Sequence, residues 1–472
     1  ESSWRLLDDA QRQLLCALST LPGGVLPALA AALATPPGAP APGALHGPLH
    51  GQMLLDGLLA QSVLRAQAGQ DGALRYAPHE PVREYALAQV DATTQRATRQ
   101  ALLAWQLQWA AALPATPPLP SVRDELPNLT LALSHAGDDG RADDAARLVL
   151  LLQSSWGEIA LPGGVLLAID ALLASPGLDD CLASGCHALA AVRCQEAGLP
   201  DDARRHAAQA LARLDASTTP DPAVQVMVLG RVARILWRLD RDHLRARQLI
   251  AQALPLARAH QRPNSEASLL SLEAHLCTLV DRDPQRATAL SAQALALWQQ
   301  SGNRHLVNAG RFNLATNRMK AGANAEVLAE FAALADEGRA LQDWDLAAGA
   351  LEARGTALQG LRRWADSAAD LREAVRLAWD GLEMMALAYA LWNLTPALLR
   401  LRRATLAAET MGAAEALWLQ RFGQLGADDR HDLKRIRRGA RALLGADAAQ
   451  AAWQRGAGLP LGAVVRAVLA DG

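Results

Sequence analysis

The chain has 472 residues, 51% of them hydrophobic but only 4% aromatic, and a formal net charge of −2. That length can bury more than one core, and a near-neutral balance offers no basic excess for nucleic acid or an anionic membrane. Much of the apolar share is Ala and Leu, strong helix formers, so the composition predicts an almost entirely α-helical protein.

Lys320 and Lys434 are the only lysines. Neither sits in the Gly-Lys-Ser/Thr context of a Walker A loop, so no phosphate loop of that type is present. Cys16, Cys181, Cys186, Cys194 and Cys277 form an odd, scattered set that does not read as a disulfide framework. On one helix Cys181 and Cys186 point about 140° apart, at about 100° per residue. With Cys194 and His187 nearby they are expected as buried small hydrophobes and not as a metal site. There is no signal peptide and no run of 18 apolar residues; the best stretch is broken by Gln153, Glu158 and Pro162. These readings predict a cytoplasmic protein. Because the chain opens on Glu1 and not on Met, it is expected to be a piece of something longer.

Residues 1–95 differ from the rest. A helix is predicted over 8–21, with Leu14, Leu15 and Leu18 on one face, stopped by Pro22-Gly23-Gly24. A second helix is expected over 25–33, a Pro/Gly-rich loop over 35–50, and a third helix over 53–64. Residues 63–66 and 73–77 flank Gly69–Gly72 and suggest a short hairpin. A further helix begins near Glu80. Three helices and a hairpin make a winged-helix plan. A DNA-reading helix needs Arg, Lys, Asn or Gln facing the groove. The 53–64 helix offers little beyond Gln52, Gln61, Arg65 and Asp56, so DNA contact is not expected and a packing module is.

From about residue 93 everything reads as helix and turn. Residues 96–175 are taken as a connecting helical segment, with a proline cluster over 114–120 as a rigid connector. Then a register repeats. The segments 203–211, 246–254, 287–295, 327–335, 367–375 and 407–415 each open on a small or β-branched residue. Each carries Ala or Leu seven positions on: Ala210, Ala253, Ala294, Leu334, Ala374 and Ala414. Their starts are 43, 41, 40, 40 and 40 residues apart. A period near forty with helical spacing inside it predicts an α-solenoid of tetratricopeptide-like helix pairs over 176–425. Residues 426–472 are expected as capping helices that cover its last apolar face.

No Gly-x-Ser-x-Gly elbow, His-Glu-x-x-His or paired Cys-x-x-Cys occurs, so no catalytic residue and no metal ligand is assigned. Acidic pairs such as Asp201-Asp202 sit at helix starts, where they favour caps and the helix dipole. The first helix of each pair varies more than the second, as a partner-facing helix does. Asn313 and Asn393 lie two periods apart at one position and can line an inner groove, or serve between repeats. Arg231, Arg234, Trp237, Asn317 and Trp392 are inner-face candidates on the same reasoning, with tryptophan at a helix pair more often core than ligand stack.

Several stretches resemble one family. Trp4-Arg5-Leu6-Leu7-Asp8 with Pro22-Gly23-Gly24 is similar to the winged helix that follows the nucleotide-binding domain in bacterial signal-transducing ATPases of the STAND class. So are Leu54-Leu55, Leu58-Leu59 and Ser62-Val63-Leu64. Arg75-Tyr76 with Pro81-Val82-Arg83-Glu84-Tyr85-Ala86 resembles that family's most specific run here. Glu125-Leu126-Pro127-Asn128-Leu129 resembles the segment that opens its helical array, and Ala452-Trp453-Gln454-Arg455-Gly456 its terminal motif. The relatives implied are the maltose regulator and antibiotic-regulatory and LuxR-type large transcriptional regulators. The resemblance implies a sensor array that binds an inducer or partner protein and controls an ATPase switch. This chain carries neither the nucleotide-binding domain nor an obvious DNA-binding effector. ATP would therefore belong only to an absent upstream domain, and no cofactor is assigned here. The other reading is a stand-alone tetratricopeptide scaffold that binds peptides or proteins; no residue constellation points to an enzyme.

Overall fold

The computed structural model describes residues 2–34, 48–114, 119–157 and 163–471. Most of the expected Pro/Gly-rich loop and part of the proline connector lie outside the described residues. The chain divides into two compact units, one of residues 1–190 with 209–220, the other of 191–208 with 221–472.

In the first unit the elements run α1 (Ser2–Arg5), α2 (Asp9–Ser19), α3 (Pro27–Ala34), α4 (Pro48–Ala60), β1 (Leu64–Ala68), β2 (Leu74–Pro78), α5 (Glu80–Leu87), α6 (Ala92–Ala112), α7 (Leu119–His135), α8 (Ala142–Leu151) and α9 (Gly163–Leu173). Helices α10 (Asp180–Glu196) and α11 (Pro200–Ala216) contribute residues to both units. The Asp8 carboxylate accepts from the Gln11 N–H at 2.8 Å while Gln11 Oε1 accepts from the Asp8 N–H at 3.1 Å, a reciprocal cap that fixes the start of α2. The second helix begins at Pro27, later than its apolar run suggested. Val25 is drawn off as a strand residue, exchanging two 2.9 Å backbone hydrogen bonds with Tyr76. The third helix stops at Ala60, not at 64. Ser62 turns left-handed (φ 55°), and Leu64 enters the antiparallel hairpin opposite Pro78. Leu14, Leu15, Leu18, Leu55, Leu102 and Leu129 are fully buried in the core.

Three of the quoted motifs meet in one buried polar knot. Arg75 Nη2 donates to Glu125 Oε1 at 2.5 Å and to the Gly24 carbonyl at 3.3 Å, and Arg75 Nε donates to the Gly23 carbonyl at 3.0 Å. Asn128 closes the ring: its Oδ1 accepts from the Gly23 N–H at 2.9 Å and its Nδ2 donates to the Gly24 carbonyl at 2.9 Å and to Glu125 Oε2 at 3.3 Å. Side-chain exposure is 9% for Arg75 and 1% for Glu125. Burial pushes the Glu125 carboxyl up, and the Arg75 charge and hydrogen bond pull it back. Gly23 is needed for contact: a Cβ there would meet Asn128 Oδ1 at 3.0 Å.

The second unit is a mostly α solenoid. Its pairs are α12 (Pro222–Ile235) with α13 (His243–Ala259), α14 (Pro263–Leu276) with α15 (Pro284–Ser301), α16 (Arg304–Lys320) with α17 (Leu328–Leu341), α18 (Trp344–Gly360) with α19 (Trp364–Asp380), and α20 (Met384–Arg400) with α21 (Ala404–Arg421). Helices α22 (Ala427–Leu444), α23 (Ala446–Gly458) and α24 (Leu461–Ala470) follow. Each pair turns through a left-handed residue after its first helix. Gly198, Arg241, Arg282, Gly322, Arg362 and Arg402 all have positive φ, and they are spaced 43, 41, 40, 40 and 40 residues apart.

The unequal spacing has a structural cause. Helices α12 and α14 each close in a π turn, Leu236–Asp240 and Cys277–Asp281, which absorbs one extra residue before the left-handed position. The first period also has a longer loop, 217–221, where the next has only 260–262. Where the chain closes, α21 and α23 approach until backbone touches backbone. A Cβ on Gly412 would lie 2.1 Å from the Trp453 carbonyl oxygen, and one on Gly456 1.9 Å from the Glu409 carbonyl oxygen.

Candidate functional site

The repeat unit curls far enough to bring its ends together. Arg241, after α12, pairs with Asp429 of α22 at 3.3 Å, and Arg238 Nη1 lies 3.8 Å from Met385 Sδ of α20. The first helices of the pairs therefore face a common hollow. Tyr389 shows what lining it means. It keeps 45% of its surface open, yet enough protein surrounds it that desolvation raises its phenol above the usual range. Its ring also meets Trp418 edge-on at 5.2 Å.

Charged groups gather here in two sets. His275 of α14 stacks on Trp237 with ring centres 5.2 Å apart and planes 10° off parallel. The charges that reach it are all positive: Lys320, Arg238 and Arg234. Desolvation and those neighbours push the imidazole down to about 3, so it is neutral at pH 7. Arg234 is lowered to about 10, first by desolvation and then by Arg238; Glu196 at 3.6 Å pulls the other way, and the guanidinium stays charged. Lys320 is lowered by desolvation as well.

The second set is acidic. Glu383, at the start of α20, has Asp345, Asp343 and Glu196 within electrostatic reach. Desolvation first, then those three carboxylates, raise it to about 7. Asp345 is raised by desolvation and by Asp343, and Arg238 draws it back. Asp343 pairs with His305 at 3.5 Å. Further along α18, Glu352 accepts from Asn393 Nδ2 at 2.5 Å and from Thr356 Oγ1 at 3.1 Å; desolvation raises it, and those hydrogen bonds and the Lys320 charge pull it back.

The expected site residues divide. Arg234 lines the hollow among the cations. Arg231 is part-buried one turn earlier on α12. Trp237 carries His275 on its ring and Arg238 at 5.4 Å from its centroid, so its ring is already taken, and its buried indole N–H meets no acceptor among the described residues. Asn313 Nδ2 donates to Ser271 Oγ at 3.0 Å, and Asn393 holds Glu352. Asn317 is buried between repeats, donating to Ser291 Oγ at 2.8 Å and accepting from Thr278 Oγ1 at 2.8 Å. Trp392 is half-buried against the core. Sequence reasoning missed Arg238, His275, Lys320, Asp345, Glu352, Glu383 and Tyr389. Lone charges scattered over five helices read as solvated faces. The one legible hint was Glu352, an acid within the small, apolar stretch of α18.

No protein-family model matches the chain, and no curated protein matches it. Among solved structures it is similar to a Signal Transduction ATPase with Numerous Domains (STAND) protein with a tetratricopeptide repeat sensor from Pyrococcus horikoshii. The TM-score is 0.51 at 12% identity, over 96% of this chain and 66% of that one. The repeat unit is a tetratricopeptide-like α-solenoid. Two further likenesses are a Rap protein complexed with Competence and Sporulation Factor (TM-score 0.48, 13% identity, 75% of this chain, 91% of that one) and the apo form of RapI (0.38, 9%, 74% and 99%). At these identities the likeness is one of fold. The chain spans slightly less than two thirds of the STAND protein, and no described helix is long and apolar enough to cross a membrane.

Proposed function

We propose that this chain is the regulatory sensor region of a bacterial signal-transducing regulator. Its hollow binds an inducer or partner protein and thereby controls an ATPase switch carried outside the chain. The observation that carries this reading is a set of charges on the first helices of the repeats that have no ion-pair partner. Among the described residues Arg238, Lys320, Asp345 and Glu383 form no ion pair; Arg238 and Glu383 are part-buried, while Lys320 and Asp345 are exposed. Charged groups left without an ion-pair partner cluster where a ligand supplies it. The fold likeness to a STAND protein with a repeat sensor supports reading the array as a sensor, with the nucleotide switch upstream of it. Residues 1–95 are read as a winged helix that packs rather than reads DNA. A ligand favouring one arrangement of the repeats would shift a pre-existing equilibrium by its differential affinity.

Native mass spectrometry of the purified chain against cytoplasmic extract tests the reading. A specific adduct is expected, lost in Arg234→Ala. An adduct that survives Arg234→Ala, or none on a folded chain, overturns it.

A further inference from the structure

The turns inside the helix pairs change character along the repeat unit. Those after α12 and α14 read Asp240-Arg241-Asp242 and Asp281-Arg282-Asp283. Asp242 and Asp283 cap the helices that follow, accepting from the Arg245 and Arg286 N–H groups at 3.0 and 2.9 Å. Asp240 and Asp281 pair with Arg204 and Arg247 at 2.6 and 2.5 Å. The turns after α18 and α20 read Leu361-Arg362-Arg363 and Leu401-Arg402-Arg403 instead. Arg363 and Arg403 stand where the capping aspartates stood, and they give α19 and α21 no side-chain cap. Giving up such a cap costs about 1 kcal/mol, and a cation at a helix start opposes the helix dipole. Local stability does not account for these arginines.

The two arginine turns lie side by side. Arg400, at the end of α20, places its guanidinium over the ring of Trp364, the first residue of α19, 5.4 Å from its centre. Arg362, Arg363, Arg400, Arg402 and Arg403 are all exposed. Among the described residues two carboxylates answer them: Asp366, 2.7 Å from Arg363, and Asp471, 3.3 Å from Arg403 and shared with Arg372 at 2.6 Å. Arg362 and Arg402 form no ion pair with any described residue. Leu361 and Leu401, each 38% exposed, stand beside them. We propose that this edge docks an acidic segment of a partner protein, whose carboxylates pair with the arginines and whose apolar side chains cover Leu361 and Leu401. Arginine suits carboxylates because its planar fork donates two hydrogen bonds at once. Nucleic acid would meet the arginines through its phosphates and leave the leucines bare, whereas an acidic and partly apolar peptide uses the whole edge. The edge shares no residue with the hollow, so it stands or falls apart from the sensor reading.

A phage-displayed library of random dodecapeptides is panned on the immobilised full chain, and the selected peptides are measured by fluorescence anisotropy. The expected peptides combine Asp or Glu with Leu, Ile or Phe. Their affinity should fall about tenfold for the double variant Arg362→Asn with Arg402→Asn. Both positions are exposed and left-handed, a backbone that Asn tolerates, so this variant should keep the fold, as circular dichroism checks. Leu361→Ser with Leu401→Ser should also weaken the peptides. An oligothymidylate of about twenty nucleotides is the competing probe, since a single strand offers phosphates without acidic side chains. The inference is overturned if panning yields no peptide, if the selected peptides lack acidic residues, or if they bind the folded asparagine variant as tightly as the parent. It is equally overturned if oligothymidylate binds more tightly than the best peptide and loses that binding in the asparagine variant, which would assign the edge to nucleic acid.

Discussion

Truncating Arg75 should unfold the first unit well before the second. Arg75→Ala removes three hydrogen bonds at 2.5, 3.0 and 3.3 Å and leaves Glu125, 1% exposed, with Asn128 at 3.3 Å against it. Breaking a buried pair from one side costs about 3–5 kcal/mol because the remaining charge stays desolvated. For a unit of this size about 1 kcal/mol corresponds to ~2–4 °C, so the transition should fall by roughly 10 °C. Differential scanning calorimetry reads this directly, provided the two units melt separately; circular dichroism in urea gives the same answer as a split transition. The double change Arg75→Met with Glu125→Leu should recover most of the loss, since neither charge is then stranded. A shift below about 3 °C for Arg75→Ala, or a double variant worse than the single, would refute the argument that the knot is a stability element.

Asp139 makes two 2.7 Å bonds to Arg99, which hold its carboxyl below the ordinary 3.8. A lowered acid stabilises the fold above its unfolded pKa, and that stability is lost as pH falls through the folded one. The urea midpoint of the first unit should therefore drop between about pH 5 and 2, less steeply in Asp139→Asn. Glu383 runs the other way. Its folded value of about 7 exceeds the ordinary 4.5, so its ionisation works against the fold as pH rises through that window. Glu383→Gln should be more stable than the parent at pH 8 and equal to it at pH 4; equal stability at both pH values would sink this assignment. Leu382, exposed and left-handed at φ 59°, should gain ~0.5–1 kcal/mol on Leu382→Gly, measured as a raised unfolding midpoint. Gly456→Ala should cost more than ~2 kcal/mol, because a methyl cannot fit against the Glu409 carbonyl; an unchanged melting curve would rule that out.

The solenoid was legible because its signal is local and repeated. Ala210, Ala253, Ala294, Leu334, Ala374 and Ala414 recur at one helical position, and all six are fully or nearly fully buried where α11, α13, α15, α17, α19 and α21 pack. The period even contained its own irregularity, but 41 instead of 40 does not say whether the extra residue enters a loop or a helix. That choice is made by packing on both sides of α14. The polar knot was half visible: Pro22-Gly23-Gly24, Arg75-Tyr76 and the Glu125–Asn128 stretch each stood out. Nothing in a linear sequence joins residues 50 and 105 positions apart. The hollow was least legible. Arg234 was reached by its place on a first helix, whereas Lys320 and Glu383 lie at helix ends, where charge is ordinarily solvated. Only the curl that brings α12 to α20 makes neighbours of them.

The π turns limit how the repeats can be exchanged. In α16, α18 and α20 the body of the helix and its closing turn keep one phase. In α12 and α14 they are offset by a residue, which on a helix is about 100° of rotation. A consensus averaged over all the repeats would align either the turns or the bodies, never both. Shuffling a later repeat into the place of α12 would preserve the stacking surface and swing the charged end away from Met385. The modules are thus interchangeable as building material but not as addresses: two of them carry a phase shift that marks their position in the array.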